Sequence, residues 1–260
     1  QAEDGIRDGI VRLVGSEMCI RDSGWAAEPG GSRPGARLPS RRTGLDMLEL
    51  GLKVLISYLL GSVNGSLLLG RLKGIDIRSS GSGNAGGTNA LRTQGKVFAL
   101  GVMIIDIGKG FLAPWLMPGL ALPGVPLDPV IARDWLLLAC AAAAVYGHCY
   151  PVWFGFRGGK GAATAIGAML AVSPAVLVPA GIVWVLVLVF SGYVGLATML
   201  AAGIMPVWQL VSHGTSNGPL LIFLLGLAVF VVYTHRSNIR RLARGEEGRM
   251  EKAMVLRRSR

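Results

Sequence analysis

SSGSGNAGGTNALR, residues 79–92, holds four glycines, four hydroxyl side chains, two asparagines and one arginine between two long apolar runs, 48–70 and 96–116. The stretch admits two opposite readings. Gly81, Gly83 and Gly86 spell G-x-G-x-x-G, the phosphate turn of a dinucleotide fold, which needs a strand before it and a helix after it in a soluble βαβ unit. The flanks are instead apolar segments near the roughly 20 residues that cross a bilayer. Hydrophobic residues make up 52% of the 260-residue chain and charged residues 16%. That balance excludes the soluble fold and makes the chain an all-α, polytopic membrane protein.

Seven apolar segments follow Met47, at 48–70, 96–116, 134–153, 162–173, 175–191, 194–211 and 219–234. The fourth is short, and Pro174 directly after it marks either a break between two spans or a kink inside a longer one. Lys and Arg beside short loops stay on the cytoplasmic side. Arg71, Lys73, Arg78 and Arg92 follow the first segment, Arg157 and Lys160 the third, and nine basic against three acidic residues the seventh. Two and then four crossings separate these places, so all three face the cytoplasm and the N-terminus faces out. The connection holding Asp128, Arg133 and Asp134, and the one before 219, are poor in net charge, as the outer side should be.

Residues 1–46 have no apolar period and read as a disordered or artefactual N-terminal extension. Within it EMCIRDS, Glu17–Ser23, back-translates to GAG ATG TGT ATA AGA GAC AG, which resembles a transposase end used in library preparation, so a natural start near Met47 is expected. The extension carries seven basic and seven acidic residues. The whole net charge of +11 therefore lies in 47–260, with 19 basic and 8 acidic residues. Residues 47–247 read as one membrane domain and 248–260 as a basic cytoplasmic tail. Cys19, Cys140 and Cys149 show no paired spacing, so neither a disulfide framework nor a metal site is implied. No cofactor is expected, and the basic excess is read as membrane-facing, with no nucleic-acid partner.

The three places that face one side also hold the polar sequence that apolar packing does not explain: SSGSGNAGGTNALR, GHCYPVWFGFRGGKGAAT (Gly147–Thr164) and HRSNIRRLARGEE (His235–Glu247). Closely spaced glycines turn successive N–H groups toward one point, and such a turn, or a helix start after it, binds phosphate or carboxylate oxygens. Helix packing or plain flexibility is the bland account of the glycines. It leaves Asn84, Asn89, Arg92 and Lys160 beside them without a reason. RGGKG lacks both P-loop spacing and a Lys-Ser/Thr pair. His235 and Asn238 stand at i and i+3 on one face of a helical turn. Asp106 and Lys109, inside the second segment, are spaced to form a structural pair, with Lys109 kept as a candidate site contributor.

Ser80 with GSGNAGGTNALR, then GHCYPVWFGFRGGKGAAT, then HRSNIRRLARGEE, in this order and at membrane-compatible spacing, resemble the bacterial acyl-phosphate:glycerol-3-phosphate acyltransferase family, PlsY, over about residues 50–247. The resemblance implies a seven-helix inner-membrane enzyme with its site facing the cytoplasm. It implies transfer of a fatty acyl group from acyl phosphate to the 1-hydroxyl of glycerol 3-phosphate, giving lysophosphatidic acid and inorganic phosphate. On this footing Ser80, Arg92, His235 and Asn238 hold glycerol 3-phosphate. Gly83, Asn84, Thr88, Lys160, Gly158, Gly159 and Gly161 hold the acyl phosphate, whose chain lies among the spans, and Asn89 is a further substrate-binding candidate. Ser80, Arg92 and His235 are the catalytic candidates, and the hydroxyl's proton has two acceptors open to it, a substrate phosphate oxygen or His235.

Two other classes remain at this point. Acyltransferases that use thioesters carry H-x-x-x-x-D, and no histidine here has aspartate at that spacing. A transporter of anionic metabolites also sets glycine-rich helix starts against substrate, but near the bilayer midplane and with matching breaks in two halves, which this sequence lacks.

Overall fold

The computed structural model describes residues 47–127 and 131–255. The readings made for 1–46, for Asp128 and for the basic residues after 255 lie outside the described residues. Among the described residues every regular element is a helix.

The apolar run 48–70 forms two helices, α1 (Leu48–Gly61) and α2 (Gly65–Leu72), bent by 49°. Asn64 is the cause. Its backbone is extended and its Oδ1 accepts from the N–H groups of Ser66 at 3.1 Å and Leu67 at 3.2 Å, an N-cap that starts a new helix. After the loop 73–86 come α3 (Gly87–Gln94) and α4 (Lys96–Leu116), parted by Gly95 at φ 85°. They are followed by α5 (Arg133–Cys149), α6 (Ala162–Val172), α7 (Leu177–Ser191) and α8 (Val194–His213). Last come α9 (Gly218–Thr234) and α10 (Arg236–Ala243).

The helices α4 and α8, and α5 and α7 with their adjoining turns, are long and apolar enough to cross a bilayer. The bent pairs α1–α2 and α9–α10 each qualify as a unit. The segment 162–173 differs from the expected span: α6 has 11 residues. At 1.5 Å per residue that is roughly 16 Å, against a hydrocarbon core of about 30 Å. Ser173, extended at φ −158°, ends it, and Pro174 opens a separate turn, so Pro174 lies at a break between two helices.

Small residues let the helix backbones approach closely. A side chain at Gly61 would collide with the Ala144 backbone and one at Gly147 with Tyr58 O, which seats α1 against α5. Gly110 and Gly167 do the same for α4 and α6, against the backbones of Thr164 and Ile107. The main apolar core lies where α5, α6, α8 and α9 meet, around Val145, Met169, Met205 and Leu224. On the outer faces Val178, Ile182 and Phe190 of α7 and Ile222 and Val229 of α9 are exposed, a surface made for hydrocarbon.

Charges inside the helical body are paired. Asp106 and Lys109 approach to 3.0 Å, both buried. At the far end of α1, buried Glu49 takes Lys53 at 2.8 Å and Arg133 at 2.6 Å, so the one basic residue of that connection is neutralised internally.

Candidate active site

All three polar stretches meet at one end of the bundle, held by side chains that bridge them. Asn64 donates to Ala85 O at 3.2 Å in the first stretch and to His148 O at 3.5 Å in the second. Arg78 pairs with Asp76 at 2.8 Å and reaches Phe154 O at 3.1 Å and Arg157 O at 2.9 Å. That guanidinium holds the Asp76 carboxyl below the usual carboxylate range. Thr234 donates to Lys160 O at 3.0 Å and so ties the third stretch to the second.

Between them lies a cavity of about 520 Å³, polar at one end and apolar at the other. Asn84, Thr88, Asn89, Arg92, Lys160, Gly161, His235 and Asn238 all line it. Two helix starts open on it. Gly86 is the N-cap of α3 and Gly161, at φ 85°, that of α6, and neither helix has a side-chain cap. First-turn N–H groups and the positive end of the helix dipole therefore face the cavity from two directions.

The cationic side chains surround these starts. Arg92, exposed at the rim, donates to Gly248 O at 3.3 Å. Lys160 donates to Asn238 Oδ1, whose amide donates in turn to Glu247 Oε1 at 2.6 Å. Glu247 Oε2 accepts from Arg241 at 2.6 Å. Burial, together with the nearby Arg241 charge, pushes the Lys160 ammonium down to about 8. His235 is buried, and its Nδ1 lies 2.8 Å from Val231 O. A carbonyl only accepts, so Nδ1 carries the proton of the neutral ring and Nε2 keeps its lone pair.

Several expected site residues stand elsewhere. Ser80 is exposed and outside the cavity lining; its carbonyl accepts from Asn89 at 3.1 Å. Asn89 lines the cavity, yet its amide organises the loop, accepting from Ser82 N at 2.9 Å and donating to Ile77 O at 3.1 Å. Gly83 bends the loop at φ 70° and donates to Ser80 O. Gly158 and Gly159 were expected to offer N–H groups to a phosphate. Those groups are already taken, by Cys149 O at 3.0 Å and His148 O at 3.1 Å, and a side chain at either glycine would strike the end of α5. They allow a close approach and do not donate to a ligand. Lys109 is also committed, to Asp106, to Val63 O at 2.8 Å and to His148 Nδ1 at 3.1 Å.

The cavity adds residues that the sequence reading did not assign to it: Ser82, Asp106, His148, Arg241 and Glu247. For Glu247 a signal existed, an acid in a run of arginines. For His148 and Asp106 only the folded helices bring the side chains to the cavity wall. Among the described residues no group of three His, Cys, Asp or Glu side chains is placed to hold a metal ion.

A site with two uncapped helix starts, three cations and an apolar extension calls for comparison with proteins of known activity. The family described as glycerol-3-phosphate acyltransferase matches residues 51–245. The glycerol-3-phosphate acyltransferase of Burkholderia ambifaria is 38% identical over 205 residues, 78% of this chain and 92% of the relative. That of Thermosynechococcus vestitus is 42% identical over 209 residues, 77% and 95% respectively. The crystal structure of PlsY, an integral membrane glycerol 3-phosphate acyltransferase, in its glycerol 3-phosphate form superposes with a TM-score of 0.67 at 34% identity, covering 77% of this chain and 95% of that one. Its lysophosphatidic acid form gives 0.65 at the same identity, covering 77% and 94%. Fold, polar site and these likenesses agree, and the chain belongs to the glycerol-3-phosphate acyltransferase family.

Proposed function

We propose that this membrane acyltransferase takes its acyl group from acyl phosphate and delivers it to the 1-hydroxyl of glycerol 3-phosphate, giving lysophosphatidic acid and hydrogen phosphate. One observation carries the reading: a single cavity joins two uncapped helix starts and a cluster of cations to an apolar groove between α6, α7 and α8. Two phosphates and one hydrocarbon tail are the ligands that such a cavity fits. Arg92, His235 and Asn238 hold glycerol 3-phosphate. The Asn84–Thr88 turn with Lys160 and Gly161 holds the acyl phosphate.

The chemistry needs alignment more than activation, because phosphate is already a good leaving group. The hydroxyl oxygen bonds to the acyl carbon, the carbon–oxygen bond to phosphate breaks, and the hydroxyl proton ends on the released hydrogen phosphate. His235 Nε2, with its lone pair, accepts the hydroxyl's hydrogen bond and aims its oxygen. Lys160 and the helix-start amides stabilise the charge that grows on the departing phosphate.

Residues 47–247 form the enzyme domain, and 248–260 a basic tail on the same side as the site. In a bacterial inner membrane the N-terminus of that domain is outside, and the site faces the cytoplasm, where water-soluble glycerol 3-phosphate is supplied. The test uses the full chain purified in detergent with palmitoyl phosphate and glycerol 3-phosphate. Equimolar lysophosphatidate and phosphate are expected. Turnover with acyl thioesters but none with acyl phosphate would overturn the donor assignment. Single cysteines near residue 74 and in the 214–217 loop, probed with an impermeant thiol reagent on intact cells, test the orientation: the second labels and the first does not.

A further inference from the structure

The apolar half of the cavity has an open side. The residues of α7 that line it, Leu177, Ala180, Gly181, Trp184 and Val185, recur at the three- and four-residue spacing of one helix face. The rotation of that face is fixed from α8: Trp184 Nε1 donates to Thr198 Oγ1 at 3.3 Å, and both side chains line the cavity. Across from it stands α6, which is too short to wall off the whole depth of the bilayer.

Three lining positions are also open to the surroundings. Ile166 of α6 is 41% exposed, Val185 is 52% exposed, and Gly181 lies exposed between them in the series. A group that lines a cavity and is exposed at once marks where the cavity opens. Here it opens sideways between two apolar helices, at three residues that have no hydrogen-bonding side chains. A methyl group added at Gly181 would meet nothing within 4 Å, so helix packing does not require the glycine and a larger side chain has room at this opening.

We propose that Gly181 is a specificity-determining residue: the acyl tail runs along the α7 face and leaves the cavity toward the bilayer past Gly181, between α6 and α7. This rests on the reading that the apolar half of the cavity holds the acyl group of the donor. The absent side chain at 181 lets long tails extend beyond the protein, while short tails end before reaching it. Filling position 181 therefore shortens the groove without touching the polar end.

The experiment compares palmitoyl phosphate with octanoyl phosphate on the full-length wild type, Gly181→Ala, Gly181→Leu and Gly181→Trp. Gly203→Leu serves as a control on α8, since Gly203 is exposed, has open space around it and does not line the cavity. Glycine to alanine or leucine inside a helix does not threaten folding, because both favour helix more than glycine does. For Gly181→Leu and Gly181→Trp, kcat/KM with palmitoyl phosphate should fall by roughly tenfold or more, the scale on which apolar pockets discriminate by filled volume. With octanoyl phosphate it should stay within about twofold of wild type, as should both donors in Gly203→Leu. Equal losses for the two chain lengths, or no change for either, would overturn the proposal. Wild type inert toward both acyl phosphates would instead overturn the donor reading. The same variants run with palmitoyl and octanoyl thioesters would then still show whether position 181 sorts tails by length.

Discussion

Lys160→Met and Lys160→Arg remove, respectively, the charge at the second helix start and its ability to titrate. The Lys160 ammonium lies at about 8 against an ordinary 10.5. At 1.36 kcal/mol per pH unit this is roughly 3 kcal/mol held against the charged form by burial and by Arg241. The folded-state value is lower than the unfolded one, so the cation is present below about 8 and is lost as pH rises through it. Between about 8 and 10.5 the unfolded chain binds the extra proton, and the substrate-free protein should gain stability with rising pH across that window. Substrate acts in the opposite sense, because a phosphate brings a further anion to an ammonium that reaches Glu247 only through Asn238. In wild type kcat/KM for acyl phosphate should be level below about pH 8 and fall toward tenfold per pH unit above it, since this ratio reports the free enzyme. Lys160→Met should lose roughly 30- to 150-fold near pH 7, equivalent to about 2–3 kcal/mol for a charge-assisted hydrogen bond. It should also lose the inflection. Lys160→Arg should keep part of the activity with a profile flat through the same range. The assay is initial-rate phosphate release at several pH values, corrected for uncatalysed hydrolysis. An inflection near 8 that persists in Lys160→Met would refute the assignment, because another group would then be titrating.

Arg92→Ala should raise KM for glycerol 3-phosphate by roughly 30-fold or more, the worth of about 2 kcal/mol, while Lys96→Ala, exposed at the start of α4, leaves it unchanged. Steady-state kinetics with saturating donor distinguishes the two. His235→Ala should lower kcat by about 10²-fold with a small change in KM, since Nε2 aims the attacking hydroxyl. A large effect on KM alone would make His235 only a binding residue. Gly110→Leu should lower the detergent melting temperature and the yield of folded protein, because its side chain would meet the Thr164 backbone. Gly108→Leu, with open space around it, should be silent in the same fluorescence melt.

The helical class was legible because hydrocarbon must face hydrocarbon, and long apolar runs leave no other arrangement. The polar stretches were legible as the places that apolar packing does not explain, and the fold brings them to one cavity; the even count of crossings was not a sound reason, since α6 is too short to be one of them. Their finer roles were not. G-G-K-G has the composition of an anion turn, yet Gly158 and Gly159 spend their N–H groups on the end of α5; nothing in the sequence shows which amides a fold consumes. The break at Ser62–Asn64 was hidden inside one apolar run, because an N-cap declares itself through a geometry that composition does not carry. Glu247 stood within the third polar stretch without a role, and only the fold shows it held by Asn238 and Arg241.

Asn64 does not itself line the cavity, but its single amide joins the break in the first span to Ala85 in one loop and to His148 at the start of the second polar stretch. On the proposed reading, the spacing between the two phosphate seats is set by Asn64 together with Arg78, which also ties the first loop to the second. Damage at Asn64 should have a distinctive kinetic signature: weakened saturation by both substrates together, as though two independent sites had failed at once.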